Sequence, residues 1–325
     1  MFRKIFVGLL IGPLLVVAGA TVLLSQPVGS VPREGPVVEA DAKRLRDTVF
    51  ALAHSRDVND VAALDAAAKQ LSEQLTALGY TPLDQPYTRE GQTYHNVRVV
   101  IGDQQAKRVV VGAHYDSCKP LPAADDNASG VAVVLELARL LREHPAPGAF
   151  ELVFWTLEEP PVFRESEMGS HQHAAMLDQT GVKVSAALSI ETVGYFTDEE
   201  GSQHFPLPGL SALYSTRGNY VALVSNLANI SLVRRVKKAM RSADAIEVYS
   251  MTAPASVPGI DWSDHANYWP YGIPALMVTD TAPNRNPNYH RASDTPDTLN
   301  YARMAALTNA LFEALWQLGL AEGER

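Results

Sequence analysis

The sequence predicts an α/β fold, a single three-layer domain with a central mixed, largely parallel sheet flanked by helices and preceded by an N-terminal membrane-anchor helix. Three observations lead there. Strand-length runs rich in Val, Ile and Leu alternate with segments of helical periodicity. Those runs are apolar throughout, as expected of strands covered on both faces. No linker composition interrupts residues 37 to 325, which therefore read as one domain.

At the start of the chain, Arg3 and Lys4 precede IFVGLLIGPLLVVAGATVLL, residues 5 to 24, an uncharged run of 20 residues. A bilayer-spanning helix needs about 20 such residues. Ala18-Gly19-Ala20 resembles a signal-cleavage site, but the apolar run continues past it through Leu24. Residues 1 to 24 therefore read as a signal anchor and residues 25 to 36 as a Pro/Gly-rich linker. The positive flank places residues 37 to 325 outside the cytoplasm, membrane-anchored, or secreted if the segment is cleaved.

Two amphipathic helices follow, one with Leu45, Val49 and Leu52 on a face, the other with Leu64, Leu71, Leu75 and Leu78. Strands are predicted at 94 to 101, 107 to 116, 149 to 159, 185 to 195, 220 to 226 and 274 to 280. Helices are predicted at 127 to 144, 231 to 243 and 301 to 318, the last on a stripe of Met304, Leu307, Leu311, Leu315 and Leu318.

Charge and cysteine content narrow the function. A net charge of −9 without any Lys/Arg stripe argues against nucleic acid as a partner. The single cysteine, Cys118, rules out a disulfide framework and any multi-cysteine metal site. Metal binding would have to use His and carboxylates.

Open α/β sheets bind ligands at the carboxyl ends of their strands. The predicted strands deliver His114 and Asp116, then Glu158 and Glu159, then Glu191. The loop ADDNASG adds Asp125 and Asp126 ahead of a helix, and NPNYHRASD adds Tyr289, His290 and Asp294. Taken singly, each has an ordinary reading: a hydrogen-bonded histidine, a helix N-cap, a solvated loop acid. Together, acids ending apolar strands with no Lys or Arg beside them are costly unless they are paired or bind a metal. Two His and three carboxylates suit zinc or a similar divalent ion.

GAHYDS, ADDNASG with its helix, LEEPP with EMGS behind it, the strand-end acid before VG, SDH at 263 to 265 and YHRASDT resemble the di-zinc aminopeptidase family. That family includes secreted bacterial leucyl aminopeptidases and is related to glutaminyl cyclases. The motifs match in order from about residue 94 to 318. The resemblance implies two zinc ions, one held by His114, Asp126 and Glu191, the other by Asp126, Glu159 and His290. It also implies Glu158 as general base, Tyr289 as donor to the developing oxyanion, and Asp116 and Asp294 orienting the ligand histidines, with Asp264 in the same supporting group. At position 191 the family usually carries aspartate, whereas this chain has glutamate.

The implied activity is removal of N-terminal residues from peptides that carry a free amine. Trp155, Phe163, Tyr195, Phe196, Tyr268 and Trp269 are candidates for an apolar side-chain pocket or for core. A glutaminyl cyclase, a carboxypeptidase-type enzyme and a metal-free receptor-like ectodomain are the rivals. The full ligand set opposes the first and last. The interval between Glu191 and His290 is too short for the inserted dimerisation domain of the second.

VFWTLEEPP poses a geometric question, because adjacent side chains on a strand point to opposite faces. Two prolines after the acids disfavour helix there and predict an extended exit. The anchor reading is tested by a carboxyl-terminal reporter that works only in the cytoplasm. It is expected to stay silent, and a signal would refute the topology.

Overall fold

The structure is a computed structural model that describes residues 19, 21–29 and 31–323. The anchor expected over residues 5 to 24 lies largely outside them. Among the described residues no helix is long and apolar enough to cross a membrane.

The chain runs α1 (Ala42–Leu52), α2 (Val61–Ala77), β1 (Leu83–Arg89), β2 (Gln92–Ile101), β3 (Arg108–His114), α3 (Gly130–Glu143), β4 (Ala149–Trp155) and α4 (Gly169–Gln179). It continues through β5 (Val184–Glu191), β6 (Tyr220–Asn226), α5 (Ile230–Ser242), β7 (Glu247–Ala253), β8 (Ala275–Thr279), the single turn α6 (Ala282–Arg285) and α7 (Tyr301–Gly323). All eight strands form one sheet in the order β1-β2-β4-β3-β5-β8-β6-β7. The middle four, β4, β3, β5 and β8, are parallel neighbours. Antiparallel pairings flank them, β1 with β2, β2 with β4 and β6 with β8. The sheet is mixed with a parallel centre, as expected.

Every residue of β3, β4 and β5 is buried, which explains their unbroken apolar runs. Successive side chains go to opposite layers. Val109, Val111, Phe150, Leu152 and Phe154 join the large core with residues of α1, α2, α3, α5 and α7. Val110, Val153 and Trp155 join a second core with α4 and Tyr268. Besides the single turn α6, three elements were not foreseen: β1, which carries Pro86 and an alternating exposed pattern; β7, half of it polar; and α4, with few apolar residues. The two strands lie at the sheet edges, where proline and polar side chains are tolerated.

The segment read as a Pro/Gly-rich linker is tied to the domain near both ends. Ser25 O accepts from Lys237 Nζ and Ser250 Oγ, each at 2.8 Å, and Thr252 Oγ1 donates to Leu23 O. Further on, the amides of Glu34 and Gly35 donate to the buried Glu313 carboxylate at 2.9 and 3.0 Å, with Arg33 3.5 Å away. Replacing Glu313 with Ala leaves those amides without their acceptor. By the cost of orphaned donors it is expected to lower stability by about 2–4 kcal/mol in urea unfolding. Unchanged stability would mean that the tie contributes nothing.

Candidate metal centre and its apolar cavity

The four parallel strands end together, and the acids and histidines stand on those ends. His114 closes β3 and Glu191 closes β5, while Glu158 and Glu159 follow β4 by three and four residues. Asp126 arrives from the loop before α3, and His290 from the loop before α7. All but His290 are buried.

Asp126 is the centre. Its Oδ1 lies 3.4 Å from His114 Nε2 and its Oδ2 3.0 Å from His290 Nε2. Glu191 Oε2 is 3.4 Å from His114 Nε2, and Glu159 Oε2 is 3.4 Å from His290 Nε2. The residues therefore fall into two groups that share one carboxylate, the grouping the resemblance implied. Glu158 Oε2 is 4.0 Å from His114 Nε2, at the side of the cluster.

These groups fit a divalent cation on physical grounds. Both ring nitrogens of His114, His290 Nε2 and Glu159 Oε1 are buried with no hydrogen-bond partner. Orphaned buried polar atoms are rare and call for a partner. Ligand atoms of His114, Asp126 and Glu191 lie within 4.8 Å of one another, spacing that one ion can bridge.

Without a cation the cluster is electrostatically strained. Burial pushes Glu159 up to about 8, helped by Asp126 and opposed by His290. Burial likewise raises Glu158 well above the carboxylate range; His114 opposes this, and the charges of Glu191, Glu159 and Asp264 add to it. Glu191 is raised by burial despite His114. Burial also acts on Asp126, but its two histidines outweigh it and hold the carboxyl low. Burial lifts Asp264, which has no hydrogen-bond partner on either oxygen, to about 7.

The question posed by VFWTLEEPP has a local answer. The strand stops at Trp155, and Leu157 takes a left-handed φ of 61°. Asp116 then accepts both following amides, Glu158 N at 3.1 Å and Glu159 N at 3.0 Å. Each charge-assisted bond is worth about 1.5–3 kcal/mol, enough to offset the roughly 1–3 kcal/mol of a non-glycine residue held there. Both acids can thus turn toward one site. The exit is not extended as expected. Val162 N–H donates to Glu159 O at 3.0 Å and closes a turn.

The supporting acids also differ in part from expectation. Asp116 does lie 3.3 Å from His114 Nδ1. Asp294, expected beside a histidine, instead accepts the amides of Asp125 at 2.9 Å and Asp126 at 3.2 Å, and so holds the bridging acid's backbone. Asn127 fixes the same loop to the end of β5, donating to Ile190 O and accepting from Gly130 N and Thr192 N. A side chain at Gly130 would have its Cβ 2.4 Å from both Asn127 Oδ1 and Ile190 O, so only glycine fits.

Several contributors were not visible in the sequence. Arg56, fully buried, donates to the carbonyls of His54, Tyr115, Pro122 and Ala123 and so holds the loop between β3 and Asp126. It supplies the cation thought absent near the acids. Ser263 Oγ donates to Glu191 Oε2 at 2.8 Å and touches Ser189 Oγ at 3.0 Å. This pair seats the longer glutamate.

An apolar cavity of about 120 Å³ opens beside Glu191 and Tyr289, lined by Phe205, Tyr214, Tyr220, Tyr249 and Met251 among others. None of the six aromatics proposed from sequence lines it. Trp155 and Tyr268 are core, while Phe163 and Phe196 pack in the large core. The cavity forms where β6 runs antiparallel beside β8, a pairing that local sequence does not encode. Tyr289 stacks on His290 with ring centroids 3.9 Å apart.

Fold and donor set together define a class: α/β proteins with a histidine–carboxylate cluster fit for divalent metal at the ends of central parallel strands. Residues 96–315 match Peptidase family M28, and the chain belongs to that family. It is 39% identical over 287 residues to "Uncharacterized protein YfbL" of Escherichia coli K12, spanning 86% of this chain and 87% of that one. It is 24% identical over 241 residues to leucine aminopeptidase 1 of Ajellomyces capsulatus, spanning 70% of this chain and 57% of that one. Among solved structures, the LapA aminopeptidase of Legionella pneumophila superposes with a TM-score of 0.69 at 19% identity, covering 86% of this chain and 72% of that one. The glutaminyl cyclase of Bacteroides thetaiotaomicron superposes with a TM-score of 0.66 at 16% identity, covering 86% of this chain and 99% of that one.

The raised groups set a pH dependence. A carboxyl whose folded pKa lies above its unfolded value near 4 contributes stability at low pH and loses it as pH rises through the folded value. For Asp264 and Glu159 that loss extends to about 7 and about 8. The metal-stripped protein is therefore expected to have a lower Tm at pH 8.5 than at pH 5.5, with added zinc raising Tm more at the higher pH. A flat or rising Tm across that window would show that the cluster is not strained.

Proposed function

We propose that the chain is a zinc-dependent aminopeptidase that removes bulky apolar residues from the N-termini of peptides. The observation that carries this reading is Asp126, with one histidine on each oxygen, standing beside an apolar cavity. Family membership and the leucine aminopeptidase relatives support it. His114, Asp126 and Glu191 would hold one zinc, and Asp126, Glu159 and His290 a second. When bound, the ions would polarise the scissile carbonyl and acidify the attacking water.

The remaining steps fall to the chain's own side chains. Glu158, buried and with a high affinity for protons, takes the proton of the attacking water and returns it to the leaving amine. Tyr289 stays protonated, its pKa raised by burial and surrounding carboxylates, and donates to the carbonyl oxygen as charge builds there. Glu191, which borders the cavity, places a carboxylate where the substrate's free amine enters. Tyr220, Tyr249 and Met251 receive the side chain of the N-terminal residue.

A glutaminyl cyclase needs only one metal position, and the second histidine–carboxylate group speaks for the peptidase. Residues 5 to 24 would anchor the domain outside the cytoplasm, where peptides are its substrates.

Purified protein is expected to hydrolyse leucyl and phenylalanyl p-nitroanilides and to lose that activity to a chelator. Glu158→Gln should keep both zinc ions while turnover falls by a factor of about 10² or more. Glu159→Gln should lose one ion and, with it, thermal stability. Elemental analysis read beside turnover decides. Zinc loss from Glu158→Gln, or its normal turnover, would reverse the assigned roles. Cyclisation of N-terminal glutamine without peptide hydrolysis would replace the reading altogether.

A further inference from the structure

The chain's one cysteine stands at the metal centre. Cys118 Sγ, a Glu159 carboxylate oxygen and a His290 ring nitrogen all lie within 4.8 Å of one another. Cys118 is 5% exposed and Glu159 4%. Glu159 Oε1 and His290 Nε2 are both buried without a hydrogen-bond partner. Cys118, Asp126 and His290 also line one small cavity, with Arg291 and Asp294 on its wall. A buried cysteine often serves as a small apolar filler, but a filler packs against apolar groups. The cavity this one lines has Leu121 and Ala123 on its wall but also a histidine, an arginine and two aspartates.

The thiol is also held in place. Ser117 and Arg56 clasp one another, Ser117 N donating to Arg56 O at 3.0 Å and Arg56 N to Ser117 Oγ at 2.9 Å. Ser117 Oγ donates on to Lys119 O at 3.1 Å. Cys118 lies between these bonds, so its backbone has little freedom to swing the sulfur away.

We propose that Cys118 is an additional ligand of the metal position formed by Asp126, Glu159 and His290, so that the two positions of this centre differ in chemistry. The proposal rests on the metal-centre reading above. On binding, the thiol gives its proton to solvent and the thiolate joins one imidazole and two carboxylates. The position held by His114, Asp126 and Glu191 has only nitrogen and oxygen donors. A soft thiolate favours zinc, cobalt or cadmium over manganese or magnesium. Mixed loading, with a softer ion beside Cys118 and a harder one beside Glu191, follows from that difference.

The test uses full-length protein stripped of metal and titrated with Co²⁺, followed by absorption. A sulfur-to-cobalt charge-transfer band in the near ultraviolet is expected with one equivalent of ion. It can arise only from Cys118, since the chain has 1 Cys. Cys118→Ser should lose the band and bind one of the two ions about 10–100-fold more weakly, the other unchanged, in the range seen when groups supporting a metal are removed. Two bound cobalt ions without any such band would overturn the proposal and leave the metal centre standing. No cobalt binding at all would overturn both. The wild-type spectrum alone decides, even if the serine variant fails to fold.

Discussion

One carboxylate with a histidine on each of its oxygens fixes the geometry on which the rest of the site depends. For Asp126 to reach His114 and His290 together, a β3 strand end, the loop before α3 and the loop before α7 must converge within a few ångströms. None of the three can be displaced without breaking a pair. The structure spends other acids on that convergence. Asp294 and Asp116 do not face the centre with free oxygens but bind backbone amides, one set at Asp125 and Asp126, the other at Glu158 and Glu159. The buried acids thus divide into holders, satisfied by amides, and presenters, left with open lone pairs.

The same demand explains where the backbone departs from ordinary geometry. Ala123, Leu157, Thr192 and His290 all have positive φ, and each sits on a segment that carries a presenting residue. Left-handed non-glycine residues persist only where surroundings over-determine them. Here the surroundings are Asp116, Arg56 and Asn127, each making several bonds to main chain.

The parallel centre of the sheet and the identity of the presenting residues were legible because they depend on local signals. An apolar run with an acid or histidine at its end states both the strand and its cargo. Glu158, Glu159, Glu191 and His114 stood out at or just past such run ends, and the resemblance of their motifs supplied their roles. What could not be read depends on contacts between distant segments. Arg56 lies in a polar loop, HSRDVND, that gives no hint of burial, and Ser263 differs from any surface serine only through Glu191. The cavity wall is drawn from β6, β7 and a loop near residue 205, which share no pattern along the chain. Edge strands β1 and β7 were missed because a strand with one open side has no need of a continuous apolar run.

The ties at Ser25 and at Glu34–Gly35 have a mechanical consequence. A chain that hangs from a limp tether samples every orientation, and its active face meets whatever diffuses past. Here Lys237 and Ser250 grip the segment against α5 and β7, so torque applied at residue 21 passes into the sheet without an intervening swivel. The edge they grip, β7, is the neighbour of β6, which lines the apolar cavity. The point where the chain enters the domain and the wall of the cavity thus lie on adjoining strands, and the heading of one is fixed by the other.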